Sequence, residues 1–159
     1  MSKAPRRVDY WDDPDAPAAN SRRPSASVVL RNHRCELLLL RRADSGRWTI
    51  PTGGLKKHET LRECAIRECR EEIGLTVELT SLVGVFSDPR HRAAFPDGEV
   101  RVPVNVCFRG TPIAGKLTID NESTEAAWVA PGALDDYDIH PSILRRITHA
   151  MYATEPHVD

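Results

Sequence analysis

Between residues 53 and 75 the chain places Gly53, Glu59, Arg67, Glu68, Glu71, Glu72 and Gly74 in the pattern G-x5-E-x7-R-E-U-x-E-E-x-G-U, where U is an apolar residue. With each fixed residue type at about 1 in 15 and each apolar position at about 1 in 4, chance produces such a match at on the order of 1 in 10^9 starting points. The carboxylates are the part that could do chemistry. On a helical wheel of about 100° per residue with Leu61 at zero, Ala65, Cys69, Ile73 and Ile66 span roughly 40° to 140° and form an apolar face. Glu72 falls near 20°, between Leu61 and Ala65, with Glu68 and Glu71 on the adjoining flank near 340° and 280°. A solvated face with i,i+4 pairs, Arg67 with Glu63 or Glu71, accounts for Glu63 and Arg70. It does not account for Glu72, because an unpaired carboxylate beside apolar side chains is costly unless a cation or strong donor meets it. A hard divalent cation on clustered carboxylates and a loop carbonyl removes the conflict, and Mg2+ is the default for oxygen ligands next to phosphate, with Mn2+ as its natural substitute. Such an ion positions a diphosphate, neutralises its oxygens and lowers the pKa of a water that attacks phosphorus.

Positioning these groups takes a turn and a helix. Thr52, Gly53 and Gly54 follow Pro51 and give a bend, whereas residues 61–73 contain no Gly or Pro. Thr60 and Glu63 form the S/T-x-x-E signature of a helix start, and Gly74 is suited to the left-handed conformation that ends one.

With those residues in place the chain resembles the Nudix (MutT-type) hydrolases. The resemblance implies an α/β/α sandwich with a mixed β-sheet between helices, and cleavage within the pyrophosphate of a nucleoside diphosphate linked to a group X. It further implies Glu68, Glu71 and Glu72 as metal ligands, with the Gly53 carbonyl and Glu59 contributing, and Arg67 orienting Glu68 or Glu71. Glu68 is the catalytic carboxylate assigned with Arg67. Glu122, in a loop six residues before Trp128, matches the place where MutT-like members carry a further ligand or the base. A non-catalytic nucleotide-binding module is the alternative; modules of that kind would be expected to have lost box carboxylates, and this chain keeps them. The chain departs from the family pattern at Lys56 and His58, which stand where an acid and a Gly are usual, so Lys56, Lys57 and His58 crowd the entry to Glu59.

At 159 residues, 40% of them hydrophobic, and a formal charge of -1, the chain suits one compact domain. Near-neutral charge argues against nucleic acid as main partner, and the longest apolar run, residues 37–40, is far short of the ~18 residues that cross a bilayer. The N-terminus also lacks the apolar core of a signal peptide, so a cytoplasmic protein is expected; Cys35, Cys64, Cys69 and Cys107 show no zinc spacing, and Cys64 and Cys69 read as small buried apolar residues in a reducing compartment.

Residues 1–24 are rich in Pro, Asp and Arg and read as an arm, either disordered or docking Tyr10 and Trp11 on the body or on a second copy in a homodimer. Residues 25–155 form the catalytic domain. Strands are expected over 25–31 and 35–42, joined as a hairpin through 32–34, then over 48–50, 76–87, 100–109, 116–119 and 126–129. Pro103 predicts an edge or bulge in its strand. A second helix is expected over 141–152, with Ile143, Leu144, Ile147 and Met151 on its buried face. The loop of residues 88–98 concentrates basic groups, so Arg90 and His91, together with Lys57, are the candidate substrate-binding residues.

Overall fold

Residues 28–30 and 37–40 are runs of consecutive apolar side chains, so both faces of their strands need cover. The computed structural model, which describes residues 6–159, provides it. Strand β1 (Val8–Trp11) precedes β2 (Ser21–Leu30), β3 (Leu37–Arg42), β4 (Trp48–Thr49) and β5 (Thr52–Gly54). Helix α1 (Leu61–Ile73) leads to β6 (Leu75–Phe86), β7 (His91–Ala94), β8 (Val100–Gly115) and β9 (Ser123–Val129). A 3-10 turn (Pro131–Asp136), α2 (Pro141–Tyr152) and β10 (His157–Val158) complete the order. Among the described residues these strands form a mixed sheet of seven, with β1, β7, β8, β2 and β5 in sequence and β6 and β10 joined through β8, and an antiparallel sheet β4-β3-β9. Val28 and Leu30, with Leu38 and Leu40, pack toward Ala65, Cys69 and Ile73 of α1. Val29, Leu37 and Leu39 pack the other way, with Ile143, Ile147 and Ala150 of α2. The α/β/α sandwich is therefore the direct result of strands apolar on both sides. Each fully buried side chain such as Ile73 contributes ~1.5–3 kcal/mol relative to exposure.

Helix α1 keeps the bounds its caps dictate. Thr60 Oγ1 accepts from Glu63 N at 3.2 Å, and the Glu63 carboxylate accepts from Thr60 N at 2.7 Å. Gly74 closes it at φ 71°, its N–H donating to the Arg70 carbonyl. Pro103 pairs in register with Arg23 of β2, while the opposite edge of β8 is handed from β7 at Arg101 to β6 at Asn105. It thus sits in a local gap in the pairing, where its missing N–H costs no ladder bond.

Several expectations need correction. Strands β2 and β3 are not a hairpin, since they lie in different sheets and, among the described residues, pair only through the Arg31–Leu37 bridge. The Asn32 side chain accepts from Arg34 N at 2.9 Å and Glu36 N at 3.0 Å, and Cys35 takes φ 62°, so the connection turns β3 away toward β4 and β9. Residues 116–119 form no strand; β8 instead continues to Gly115 along β6. The presumed loop at residues 88–98 contains β7, paired with β1 and β8. The arm boundary at residue 24 falls inside β2, and β1 adds a strand to the main sheet through β7. Tyr10 and Trp11 lie on that strand, and Trp11 carries the Arg90 and Arg145 guanidiniums over its ring at 4.9 and 5.5 Å. Residues 1–5 of the arm lie outside the described residues. In α2 the buried residues are Ser142, Ile143, Arg146, Ile147 and Ala150, whereas Leu144 is 40% exposed, so the inward face is rotated from the one hydrophobicity suggested. None of the described helices is long and apolar enough to cross a membrane.

Candidate active site

Strand β5 lies antiparallel to β2 with Gly53 opposite Ala26, which fixes the glycine turn on the sheet edge beside α1. A Cβ on Gly53 would stand 2.1 Å from the Glu68 carboxyl carbon, so only glycine lets that carboxylate rest against the turn. The capped helix then sets the acidic residues around one cation. Arg67 donates through Nε and Nη2 to the two Glu59 oxygens at 2.8 and 2.6 Å, and through Nη1 to Glu68 at 2.7 Å and Glu71 at 3.0 Å. Its Nη2 also reaches the Gly54 carbonyl at 3.1 Å, tying helix to turn. The Arg67 hydrogen bonds hold the Glu59 carboxyl down to about 2, against its own partial desolvation and aided by Lys56 N at 2.8 Å. Lys56 Nζ stands 3.8 Å from Glu71.

Glu72 is placed differently. It has a long contact from Thr52 N at 3.4 Å and, among the described residues, no guanidinium partner. Burial first, then the charge of Glu68 and its hydrogen bond, push its carboxyl far above the usual carboxylate range, and Glu122 adds to the push. Glu122 is exposed on the loop entering β9, and partial burial with the charges of Asp120 and Glu68 raises it too. Glu68, Glu72 and Glu122 therefore share one negative field. Among the described residues no three Asp, Glu, His or Cys side chains stand in a ready metal-binding group, because Glu59, Glu68 and Glu71 are drawn onto Arg67.

Beside the turn a cavity of about 800 Å3 opens on the α2 side, lined in part by Thr52, Gly53 and Gly54. Among the described residues, Arg6, Arg7, Arg23, Arg42, Arg47, Arg101 and Arg146 line it against two carboxylates, Asp9 and Asp44. Its wall includes His91, whose Nε2 lies 3.0 Å from Asp9 Oδ1. Burial lowers His91, while Asp9, despite its own burial, is held far below the usual range by that hydrogen bond and by Arg7 and Arg42. His140 Nδ1 accepts from Ser142 N at 3.2 Å, and burial pushes the ring down to about 4.

The three candidate substrate residues separate. His91 lines the cavity; Arg90 and Lys57 do not. Arg90 instead grips Asp88, two residues back, at 2.8 and 2.6 Å, an arrangement the local sequence makes easy. Lys57 is exposed on the loop before α1. Trp48 also lines the cavity, edge-on to Tyr137 at 5.0 Å. What sequence reasoning missed is the arginine lining, brought together from the segment before β1, from β2, β3, the β3–β4 connection, β8 and α2 without any local signal. Arg146 is the exception, because it stands three residues after Ile143 and four before Ala150, on their stripe.

A model of the NUDIX domain matches residues 21–150. A MutT-like protein of Streptomyces ambofaciens is 32% identical over 84% of this chain and 79% of its own length. A nucleoside triphosphatase of Escherichia coli is 32% identical over 60% of this chain and 70% of its own. Among solved structures, a MutT protein of Methanosarcina mazei superposes with a TM-score of 0.67 at 22% identity, covering 87% of this chain and all of that one, 100%.

Proposed function

The chain belongs to the Nudix family, whose hydrolases act on phosphoric anhydride bonds, and we propose that it is a Mg2+-dependent pyrophosphohydrolase cutting a nucleoside diphosphate linked to a group X by attack of water on phosphorus. The observation that carries this reading is Glu72, half-buried beside Glu68 with no counter-cation among the described residues. A carboxylate pair so placed is costly unless a cation joins it. The donor set fits a hard divalent ion, being all oxygen: Glu68, Glu71 and Glu72, with the Gly53 carbonyl and Glu59 as contributors. When bound, the ion supplies charge neutralisation for the diphosphate and a more acidic water.

The chain's own residues do the rest. Arg67 gathers Glu59, Glu68 and Glu71 beside the glycine turn, so these carboxylates are already at the site and would need only to turn from Arg67 toward the ion. Glu68 or Glu122 accepts the proton of the attacking water at a carboxylate oxygen, Glu122 from a loop that faces the Glu68 charge. The cavity beside Gly53, rich in arginine, receives the remainder of an anionic substrate. A cytoplasmic location belongs to the same reading and is supported by four free cysteines, one of them exposed.

The test is a product-resolved screen of ADP-ribose, a nucleotide sugar, a dinucleoside polyphosphate and nucleoside triphosphates with Mg2+ or Mn2+, run beside Glu72→Gln. The variant is expected to lose at least ~10^2-fold in kcat. If the wild-type protein hydrolyses no member of a broad panel, the chain is a nucleotide-binding module and the catalytic reading falls.

A further inference from the structure

Of the seven arginines lining the cavity, six have an acceptor: Arg6 the Asp44 carbonyl, Arg7 Asp9, Arg23 and Arg101 Glu99, Arg42 Asp9 and Asp44, and Arg47 Asp138. Arg146 has none among the described residues. It is 4% exposed, and its buried Nε has no hydrogen-bond partner. Its guanidinium lies 5.8 Å from the Phe86 ring centroid, which satisfies no N–H. A buried guanidinium without an anion is a poor stabilising device, and an apolar side chain on the same helix stripe would serve packing better. The same wall offers a second donor. His140 Nδ1 accepts from a backbone N–H, so in the neutral ring the proton sits on Nε2. The cavity reaches from this wall to the glycine turn at the edge strand β5, while α1 with its carboxylates lies on the opposite face of the sheet.

We propose that Arg146 anchors a second anionic group of the substrate, a phosphate monoester or comparable dianion carried on the part of the nucleotide away from the anhydride that is cut. The chain therefore selects substrates that bear such a group over the same compounds without it. The substrate class rests on the pyrophosphohydrolase reading, but the anion site is testable without it.

The first arm is binding of inorganic phosphate without metal, read by thermal unfolding at matched ionic strength with chloride as control. Phosphate is expected to raise the melting temperature of the wild-type protein, with its apparent affinity at least ~10-fold weaker in Arg146→Met and partly kept in Arg146→Lys. Without phosphate, Arg146→Met is expected to melt at the wild-type temperature or above it. The second arm compares kcat/KM for ADP-ribose 2′-phosphate and ADP-ribose with Mg2+, and the ratio is expected to fall at least ~10-fold in Arg146→Met. Equal phosphate binding by wild type and Arg146→Met, or an equal fall in kcat/KM for both compounds, overturns the proposal. If neither compound is hydrolysed, the catalytic reading fails while the phosphate arm still decides Arg146.

Discussion

Gly53 and Glu68 are a pair in which one residue's absence of a side chain gives the other its place. Gly53 has no left-handed φ to protect, so alanine fits its backbone; the nearest atoms its Cβ would meet are the end of the Glu68 side chain, at 2.1 Å. Gly53→Ala is thus expected to keep its melting temperature within a few degrees yet lose about 10^2-fold in kcat, the scale of a misplacement of ~1 Å. If it acts through Glu68, adding Gly53→Ala to Glu68→Gln costs little more than Glu68→Gln alone. Independent, additive losses would sever that link. The carboxylates were legible in the sequence because helical spacing puts Glu72 among apolar positions, an anomaly visible without coordinates. Arg90 shows the converse: it has the right charge in the right loop, but Asp88 two residues away captures it.

Among the elements, α1 was readable to its ends because its start and stop are local events. Thr60 and Glu63 satisfy each other's backbone donors, and Gly74 closes the last turn. Thr60→Ala is expected to cost ~1 kcal/mol, a fall of roughly 2–4 °C in melting temperature for a chain of this size, measured by calorimetry. An unchanged melting temperature would mean the cap is already compensated by the packing of Cys64 and Ala65. Helix α2 was read with correct bounds and a face that holds at Ile143, Ile147 and Met151 but fails at Leu144. Its inward side meets a polar cavity, so Ser142 and Arg146 turn in while Leu144 is left half in solvent. A hydrophobic wheel assumes that the core is what a helix faces. For β2 and β3 the apolar runs were seen, but whether 32–34 turns back into the same sheet depends on β4 and β9, which local spacing does not encode.

At the scale of the whole molecule, β1, β7 and the start of α2 meet around one buried group of charges and rings. His91 bonds Asp9, and the His91 and His140 rings lie 5.3 Å apart. Their joining was invisible in the sequence, because Asp9, His91 and His140 are separated by most of the chain. It has a consequence for stability against acid. His140 has an ordinary pKa of 6.5 and is pushed down to about 4 by burial, with Asp9 opposing and the charges of His91, Arg47 and Arg7 assisting. His91 is lowered in the same direction. A folded-state pKa below the unfolded value means the unfolded chain binds more protons in the window between them. The stabilising contribution is therefore complete above pH 6.5 and is lost as pH falls toward about 4. Asp9, held far below its ordinary 3.8, begins to lose its own contribution only under that value, so the two losses occupy successive windows. His140→Asn retains a side-chain acceptor for Ser142 N and removes the titration. Urea unfolding between pH ~7 and ~4 is expected to show the wild-type protein losing on the order of 1–3 kcal/mol more than this variant. Parallel pH curves for the two proteins would mean that His140 takes up its proton equally readily in the folded and unfolded states, and that the cavity wall is open to water where the structure has it closed.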